Sequence, residues 1–255
     1  MDLELNNRVF LITGGTDGLG LALAHKLIHE GALVAVCGRN TDRLYETQQA
    51  LGTKALCLEA DVTKEHDVDA FVDATLAKFD RLDGVVNNAG RSAGGPVADS
   101  SDDEWREDYE LKVIAALHTA RRALPALADT QGVILNVLAI LARTPRANST
   151  PTSASRAAGL ALTKALAGEM GPHGVRVNAI LIGLIESGQW VRKAKEAKLS
   201  LDDFYEEMTK TSNIPLGRFG RSNEFADLAA FLLSSRASYI TGVGVSIDGG
   251  MSPVI

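Results

Sequence analysis

The sequence predicts an α/β fold: an open, doubly wound, mostly parallel sheet with helices on both faces. Three observations predict it. Short, uniformly apolar runs alternate with longer helical patterns along the chain. Runs of that kind have no wet face, so they read as strands of a parallel sheet covered on both sides. Strict alternation of strand and helix gives the double winding. Finally, a glycine-rich turn joins the first strand candidate to the first helix, where a phosphate cradle belongs in such a fold.

The elements follow in order. Strand candidates occupy 9–12, 33–37, 55–58, 85–86, 133–138, 175–180 and 243–247. Helical patterns fill the gaps at about 18–30, 41–51, 64–79, 101–127, 151–170 and 222–234. Pro and Gly sit at turns, and no linker, repeat or low-complexity tract interrupts the rhythm, so 1–255 reads as a single domain. One segment, 186–213, breaks the pattern as a polar, helical insert between the sixth and seventh strands.

Composition narrows the function classes. The chain is 45% hydrophobic and 23% charged, near the average for a globular protein, which argues against disorder. Lys plus Arg number 26 against 32 Asp plus Glu, a net charge of -6, so nucleic acid is a poor partner. No apolar stretch approaches the roughly 18 residues of a membrane span. The start Met1-Asp2-Leu3-Glu4 lacks the basic residues of a signal peptide. With only Cys37 and Cys57 there is no disulfide framework, and the expectation is reduced, buried thiols in a cytoplasmic protein.

The turn reads Thr13-Gly14-Gly15-Thr16-Asp17-Gly18-Leu19-Gly20. Its glycines allow a tight bend and close backbone approach to a pyrophosphate, and the helix N-terminus adds free N–H groups. Its place between strand and helix is the context a dinucleotide site requires. About 20 residues on, an NAD site would carry an acid for the ribose hydroxyl. Gly38-Arg39-Asn40 stands there instead. Arg39 can pair with a 2′-phosphate, so NADP(H) is favoured over NAD(H).

These residues resemble the short-chain dehydrogenase/reductase family along nearly the whole chain. The motifs are the glycine loop, Asp61-Val62, Asn87-Asn88-Ala89-Gly90, residues 174–179, Tyr239-Ile240-Thr241-Gly242 and Ile247-Asp248-Gly249-Gly250. The resemblance implies a Rossmann-type fold with seven parallel strands. It also implies an adenine contact at Asp61 and Val62, cofactor contacts at Asn88, Ala89 and Gly90, and a nicotinamide-amide grip at Gly183, Ile185 and Ser187. The family usually has Pro before that Gly and Thr four after it; here Ile182 and Ser187 stand there, and Ser keeps the hydroxyl.

The family's chemistry uses Asn, Ser, Tyr and Lys, and the resemblance puts all four positions in other hands. The Lys position falls on Arg156, the Tyr position on Thr152, the Ser position on Ala139 and the Asn position on Lys112. No tyrosine lies between 110 and 204, so a small slip of alignment does not restore the set. A threonine hydroxyl is too weak an acid to replace a phenol. Arg156 stays protonated yet can still bond the nicotinamide ribose. A buried Lys112 beside it would have a lowered pKa and could donate a proton; an exposed lysine or a structural partner for a carboxylate is the alternative.

Other features carry less. His25 and His29 are four apart on the first helix, away from the crevice, and His118 follows Lys112 by six. Ala154, Ala157, Ala158, Ala161 and Ala165 form a small-residue stripe on a helix that in this family builds a subunit interface, so a homodimer or homotetramer is expected. The insert's Trp190, Leu199, Leu201, Phe204, Tyr205 and Met208 would suit a hydrophobic small-molecule substrate. Its Arg192, Lys193, Lys195 and Lys198 could attract an anionic carrier or simply form a solvated face. Three functions compete: an NADP(H)-dependent oxidoreductase of a carbonyl or hydroxyl group with an altered site, a non-catalytic cofactor-binding or interaction protein, and an isomerase, epimerase or dehydratase.

Overall fold

A computed structural model describes residues 1–254. The seven strands of its main sheet are β1 (Val9–Thr13), β2 (Leu33–Gly38), β3 (Ala55–Glu59), β4 (Gly84–Asn87), β5 (Val133–Ala139), β6 (Arg176–Ile182) and β7 (Gly244–Ile247). They form one parallel sheet in the order β3-β2-β1-β4-β5-β6-β7. The chain winds outward from β1 to β3, then returns to place β4 on the other side of β1. That reversal opens a crevice at the carboxyl ends of β1 and β4, where ligands bind in such sheets.

Helices α1 (Gly18–His29), α2 (Thr41–Leu51) and α9 (Ser222–Leu233) share one face of the sheet. Helices α3 (Glu65–Phe79), α5 (Ala115–Thr130) and α6 (Thr152–Met170) cover the other. The strands alternate between the two layers, as successive Cβ atoms must: Phe10 and Ile12 of β1 join the first, Val9 and Leu11 the second. All four are fully buried, which explains why β1 reads as uniformly apolar. Each such side chain contributes about 1.5–3 kcal/mol.

Three expectations need correction. The pattern at 101–127 is not one helix. It divides into α4 (Asp102–Tyr109), a π-helical turn (Glu110–Ile114) and α5. Apolar spacing does not reveal the wider turn, which holds one extra residue and buries Lys112. The insert folds as α7 (Gly188–Glu196) and α8 (Leu201–Ser212). Its aromatic residues mostly pack on one another: Trp190, Phe204 and Phe219 form a small core with Tyr205 against it. Leu199 and Leu201 are exposed. Cys57 is half-buried rather than buried, while Cys37 is fully enclosed. Among the described residues no helix is long and apolar enough to cross a membrane.

A polar ladder ties the sheet to the helix that carries much of the site. Asn87 Nδ2 donates to Asn136 Oδ1 (2.8 Å), and Asn136 Nδ2 donates to Thr163 Oγ1 of α6 (2.9 Å). Asn136 is 3% exposed and Thr163 1%. Replacing Asn136 with Ala should strip Asn87 Nδ2 of its acceptor and Thr163 Oγ1 of its donor, though Thr163 still donates to the Gly159 carbonyl (2.8 Å), and destabilise the protein by about 1–3 kcal/mol. A urea-denaturation midpoint unchanged from the parent protein would remove the ladder from the stability of the fold.

Candidate active site

The glycine loop is bolted to the segment after β4. Asn88 Nδ2 donates to the carbonyls of Thr13 (2.9 Å) and Gly14 (3.0 Å). Thr13 Oγ1 accepts from the amides of Asn88 and Ala89, both at 3.0 Å. The fit excludes side chains: a Cβ on Gly20 would lie 2.5 Å from Asn88 Nδ2 and from the Gly14 carbonyl oxygen. Gly14 has φ +64° and faces the Ala89 backbone, so a side chain there would meet both strain and contact. Thr16 packs against Gly38 at the end of β2, and Asp17 caps α1 by accepting from the Gly18 amide (2.7 Å).

Beside this loop runs a cleft of about 650 Å³. Gly14, Asp17, Gly18, Leu19, Asn88, Ala89 and Gly90 line one part of it. Ala139, Thr152, Arg156, Gly183 and Ser187 line another. Two buried polar atoms here have no protein partner, Ser187 Oγ and Arg156 Nε. Such atoms are rare unless something polar satisfies them. A cradle of backbone N–H groups, a buried free hydroxyl and a buried guanidinium suit a phosphate-, ribose- and amide-bearing ligand such as a dinucleotide.

The remaining cofactor candidates divide. Arg39 is 77% exposed and its Nη1 lies 3.8 Å from Asp61. Asp61 also accepts from the Thr63 amide and hydroxyl, so its carboxylate is already engaged. Val62 is buried and borders a small internal void rather than the cleft. The Ile185 side chain is 3% exposed and packs in the core, and its backbone bridges Gly220, so only its backbone is placed to meet a ligand. Sequence reasoning missed Arg43, whose Nη1 lies 3.4 Å from Asp17 at the cradle.

Behind the cleft is a buried charge cluster. Lys112 Nζ donates to Asp108 Oδ1 and to Thr152 Oγ1, both at 2.5 Å. Ser155 Oγ donates to Asp108 Oδ2, also at 2.5 Å. Arg156 donates to the Val137 carbonyl (2.5 Å). The side chains of Lys112 and Asp108 are 1% and 0% exposed. Burial, then the Arg156 charge, pull the Lys112 pKa down to about 8, against the opposing pull of Asp108. Burial also lowers Arg156 to about 10, which leaves it protonated at neutral pH.

The arrangement brings Lys112, Thr152 and Arg156 together, with Ala139 on the same cleft. It also separates their tasks. Thr152, first residue of α6, faces the cleft, whereas Lys112 lies behind it beside a void of about 20 Å³, room for about one water. The Thr152 hydroxyl accepts from Lys112 and keeps its own proton free to donate. Asp108 and Ser155 were not expected. The signal existed, since Asp108 and Lys112 are four apart and Ser155 lies within the Thr152–Arg156 turn.

Other candidates do no chemistry visible here. His25 and His29 are exposed, and the described residues contain no metal-ligating group of three. His118 turns to Glu65 at 4.0 Å. Burial pushes the thiols of Cys37 and Cys57 up to about 12 and about 11, far from the reactive range.

Comparison with known proteins places this geometry. A family model described as enoyl-(acyl carrier protein) reductase matches residues 14–252. A 4-formylbenzenesulfonate dehydrogenase of Comamonas testosteroni is 36% identical, over 97% of this chain and 99% of its own. The L-sorbose reductase of Gluconobacter frateurii, solved with NADPH and L-sorbose, superposes with a TM-score of 0.94 at 32% identity over 100% of both chains. A short-chain oxidoreductase of Pseudomonas aeruginosa PAO1, described as containing an atypical catalytic center, matches with a TM-score of 0.93 at 35% identity over 98% of this chain and 99% of that one. An NADPH-bound structure of that oxidoreductase matches with a TM-score of 0.92 at 36% identity over 97% of this chain and 98% of that one. With the parallel sheet, the glycine cradle and a family match across nearly the whole length, the chain belongs to the short-chain dehydrogenase/reductase family.

Proposed function

We propose that the protein is an NADP(H)-dependent oxidoreductase of a carbonyl or hydroxyl group, working through Lys112, Thr152 and Arg156. The observation that carries this reading is the hydrogen bond from a buried, low-pKa lysine to a hydroxyl on the cleft. The nicotinamide, when bound, supplies or accepts the hydride. Arg156 would hold the nicotinamide ribose, and the free Ser187 hydroxyl the carboxamide. In the reductive direction the Thr152 O–H passes its proton to the carbonyl oxygen while Lys112 Nζ–H replaces it. Because threonine is too weak an acid to ionise alone, the two transfers belong to one step. Asp108 holds the lysine in place, and Ala139 leaves the substrate oxygen to Thr152 alone.

Cofactor choice is supported by Arg39 and Arg43 at the outer end of the cradle. Arg39→Asp should weaken NADPH binding by about 1.5–3 kcal/mol while NADH binding holds. Arg43→Ala should act in the same sense. Equal NADPH affinity in the parent and both variants, by titration calorimetry, would refute the preference.

The pH dependence follows from the direction of the Lys112 shift. The lysine must be protonated to donate, so carbonyl reduction should fall as pH rises through about 8, and alcohol oxidation should rise over the same window. Asp108→Asn removes the carboxylate that opposes the shift, so the falling limb should move to lower pH. Lys112→Met should cost about 10²- to 10⁴-fold in kcat with NADPH still bound. A limb that stays put in Asp108→Asn, or full activity in Lys112→Met, would take the lysine out of the mechanism.

A second reading, a cofactor-binding protein without turnover, is favoured by one feature: Lys112 and Asp108 form an ion pair with almost no exposure, as a structural pair would. Tight NADPH binding with no oxidation of it by any of a broad panel of carbonyls would establish that reading. Either way we expect a homodimer or homotetramer through α5 and α6, since Ala157, Ala161 and Ala165 are exposed along α6. Light scattering at micromolar concentration checks it, and a monomer would contradict it.

A further inference from the structure

The protein is acidic, with a net charge of -6, yet five cations and two carboxylates line its cleft. Most of these charges have partners or a task. Arg91 is paired with Glu107 (2.5 Å), Arg192 lies 3.5 Å from Asp17, and Arg156 belongs to the buried cluster. Lys193 sits 4.9 Å above the Trp190 ring, and Glu196 follows it by one turn of α7. Arg146 is different. It is exposed on the loop between β5 and α6, lines the cleft, and has no carboxylate within 4.0 Å among the described residues.

That loop is built to hold its place. The Arg146 amide donates to Ser149 Oγ (3.1 Å), and the same hydroxyl, 8% exposed, donates back to the Arg146 carbonyl (2.5 Å). The next residues, Thr150–Pro151, pair antiparallel with Gly94–Gly95 and so join this rim to the loop after β4. Arg146 lies on the same loop as Ile140 and Leu141, away in sequence from the glycine cradle. Trp190, Met208 and Met251 line the same cleft, and Met251 packs against both the Ile140 and the Trp190 clusters. The cleft therefore joins an apolar lining to a cation without a carboxylate partner.

We propose that Arg146 is an anion-recognition residue, and that the substrate has an apolar body carrying a carboxylate- or phosphate-class group remote from its reacting carbonyl. A guanidinium suits both anions because its paired N–H groups match their oxygens. The inference rests on the cleft being an oxidoreductase site, but its first test does not depend on turnover. Lys193, held above the Trp190 ring, adds charge to the cleft without setting the geometry.

The test uses the NADP⁺-loaded protein with phenylbutanoate and its methyl ester in titration calorimetry. It then follows NADPH oxidation with benzoylpropionate, its methyl ester and acetoacetyl-CoA. The acid should bind at least about tenfold more tightly than the ester, and Arg146→Ala should erase that difference while leaving NADPH affinity within about twofold. Arg146→Lys should restore part of it. Acid-selective binding without any NADPH oxidation would uphold the subsite and remove the oxidoreductase reading. A raised KM in Arg146→Ala for acetoacetyl-CoA alone would assign the anion to a carrier phosphate; for benzoylpropionate alone, to a substrate carboxylate. Equal binding of acid and ester, or an Arg146→Ala loss shared by NADPH, would overturn the proposal.

Discussion

One buried carboxylate serves two buried cations. Asp108 accepts from Lys112 directly, and its charge also steadies Arg156. With all three ionised the cluster carries a net positive charge in a region almost without water. Losing a proton from Lys112 would bring that charge to zero, which is the physical reason its pKa falls to about 8 while Arg156 stays charged. Arginine is the harder of the two to deprotonate, so the lysine is the group that yields. Ser155 donates to the second oxygen of Asp108, so each carboxylate oxygen is held by one hydrogen bond.

The fold exists to put that cluster where the crevice opens. The strand order reverses at β1 and β4, so their carboxyl ends diverge and the glycine cradle fits between them. Asn88 locks the cradle to β4, and the Asn87–Asn136–Thr163 ladder carries the connection through β5 into α6. Helix α6 then presents Thr152 and Arg156 from consecutive turns of one face. The π-helical turn between α4 and α5 adds the last piece by holding Lys112 and its carboxylate in the interior.

Much of this was legible in the sequence. Every strand of the seven-stranded sheet was, most clearly β1 and β5, whose apolar runs are fully or almost fully enclosed; the short Gly94–Gly95 and Thr150–Pro151 pair left no such run. The cradle was legible because its glycines keep a set spacing where a strand meets a helix, although the contacts that demand them, from Val36, Asn88, Ala89 and Ser187, lie far along the chain. What escaped depends on geometry that composition does not record. The π turn leaves the apolar spacing nearly unchanged, so α4 and α5 read as one helix. Asp108 looked like one of several acids in a polar helix start, and only the fold shows that it is fully buried. Of the insert's apolar side chains Trp190 and Met208 reach the cleft, whereas Phe204 and Tyr205 pack with Phe219 in a small core that the sequence did not show. Arg43 went unnoticed because its link to Asp17 joins two elements 26 residues apart.

The position of Thr152 gives the cluster its chemical direction. As first residue of α6 it stands at the positive end of a long helix, where unpaired N–H groups favour negative charge within the first turn. Lys112 touches its hydroxyl, and Arg156 lies one turn further along. Helix terminus, ammonium and guanidinium all act in the same sense at one point on the cleft wall. Hydride addition to a carbonyl builds negative charge on the oxygen, and preoriented positive groups in a dry site stabilise such charge more than water does. A phenol achieves this by being acidic itself. In the proposed mechanism the threonine need not be, since the lysine behind it carries the acidity and the hydroxyl only relays it across the last hydrogen bond. In that proposal the division of labour lets a residue as weakly acidic as threonine stand at the point of contact with the substrate.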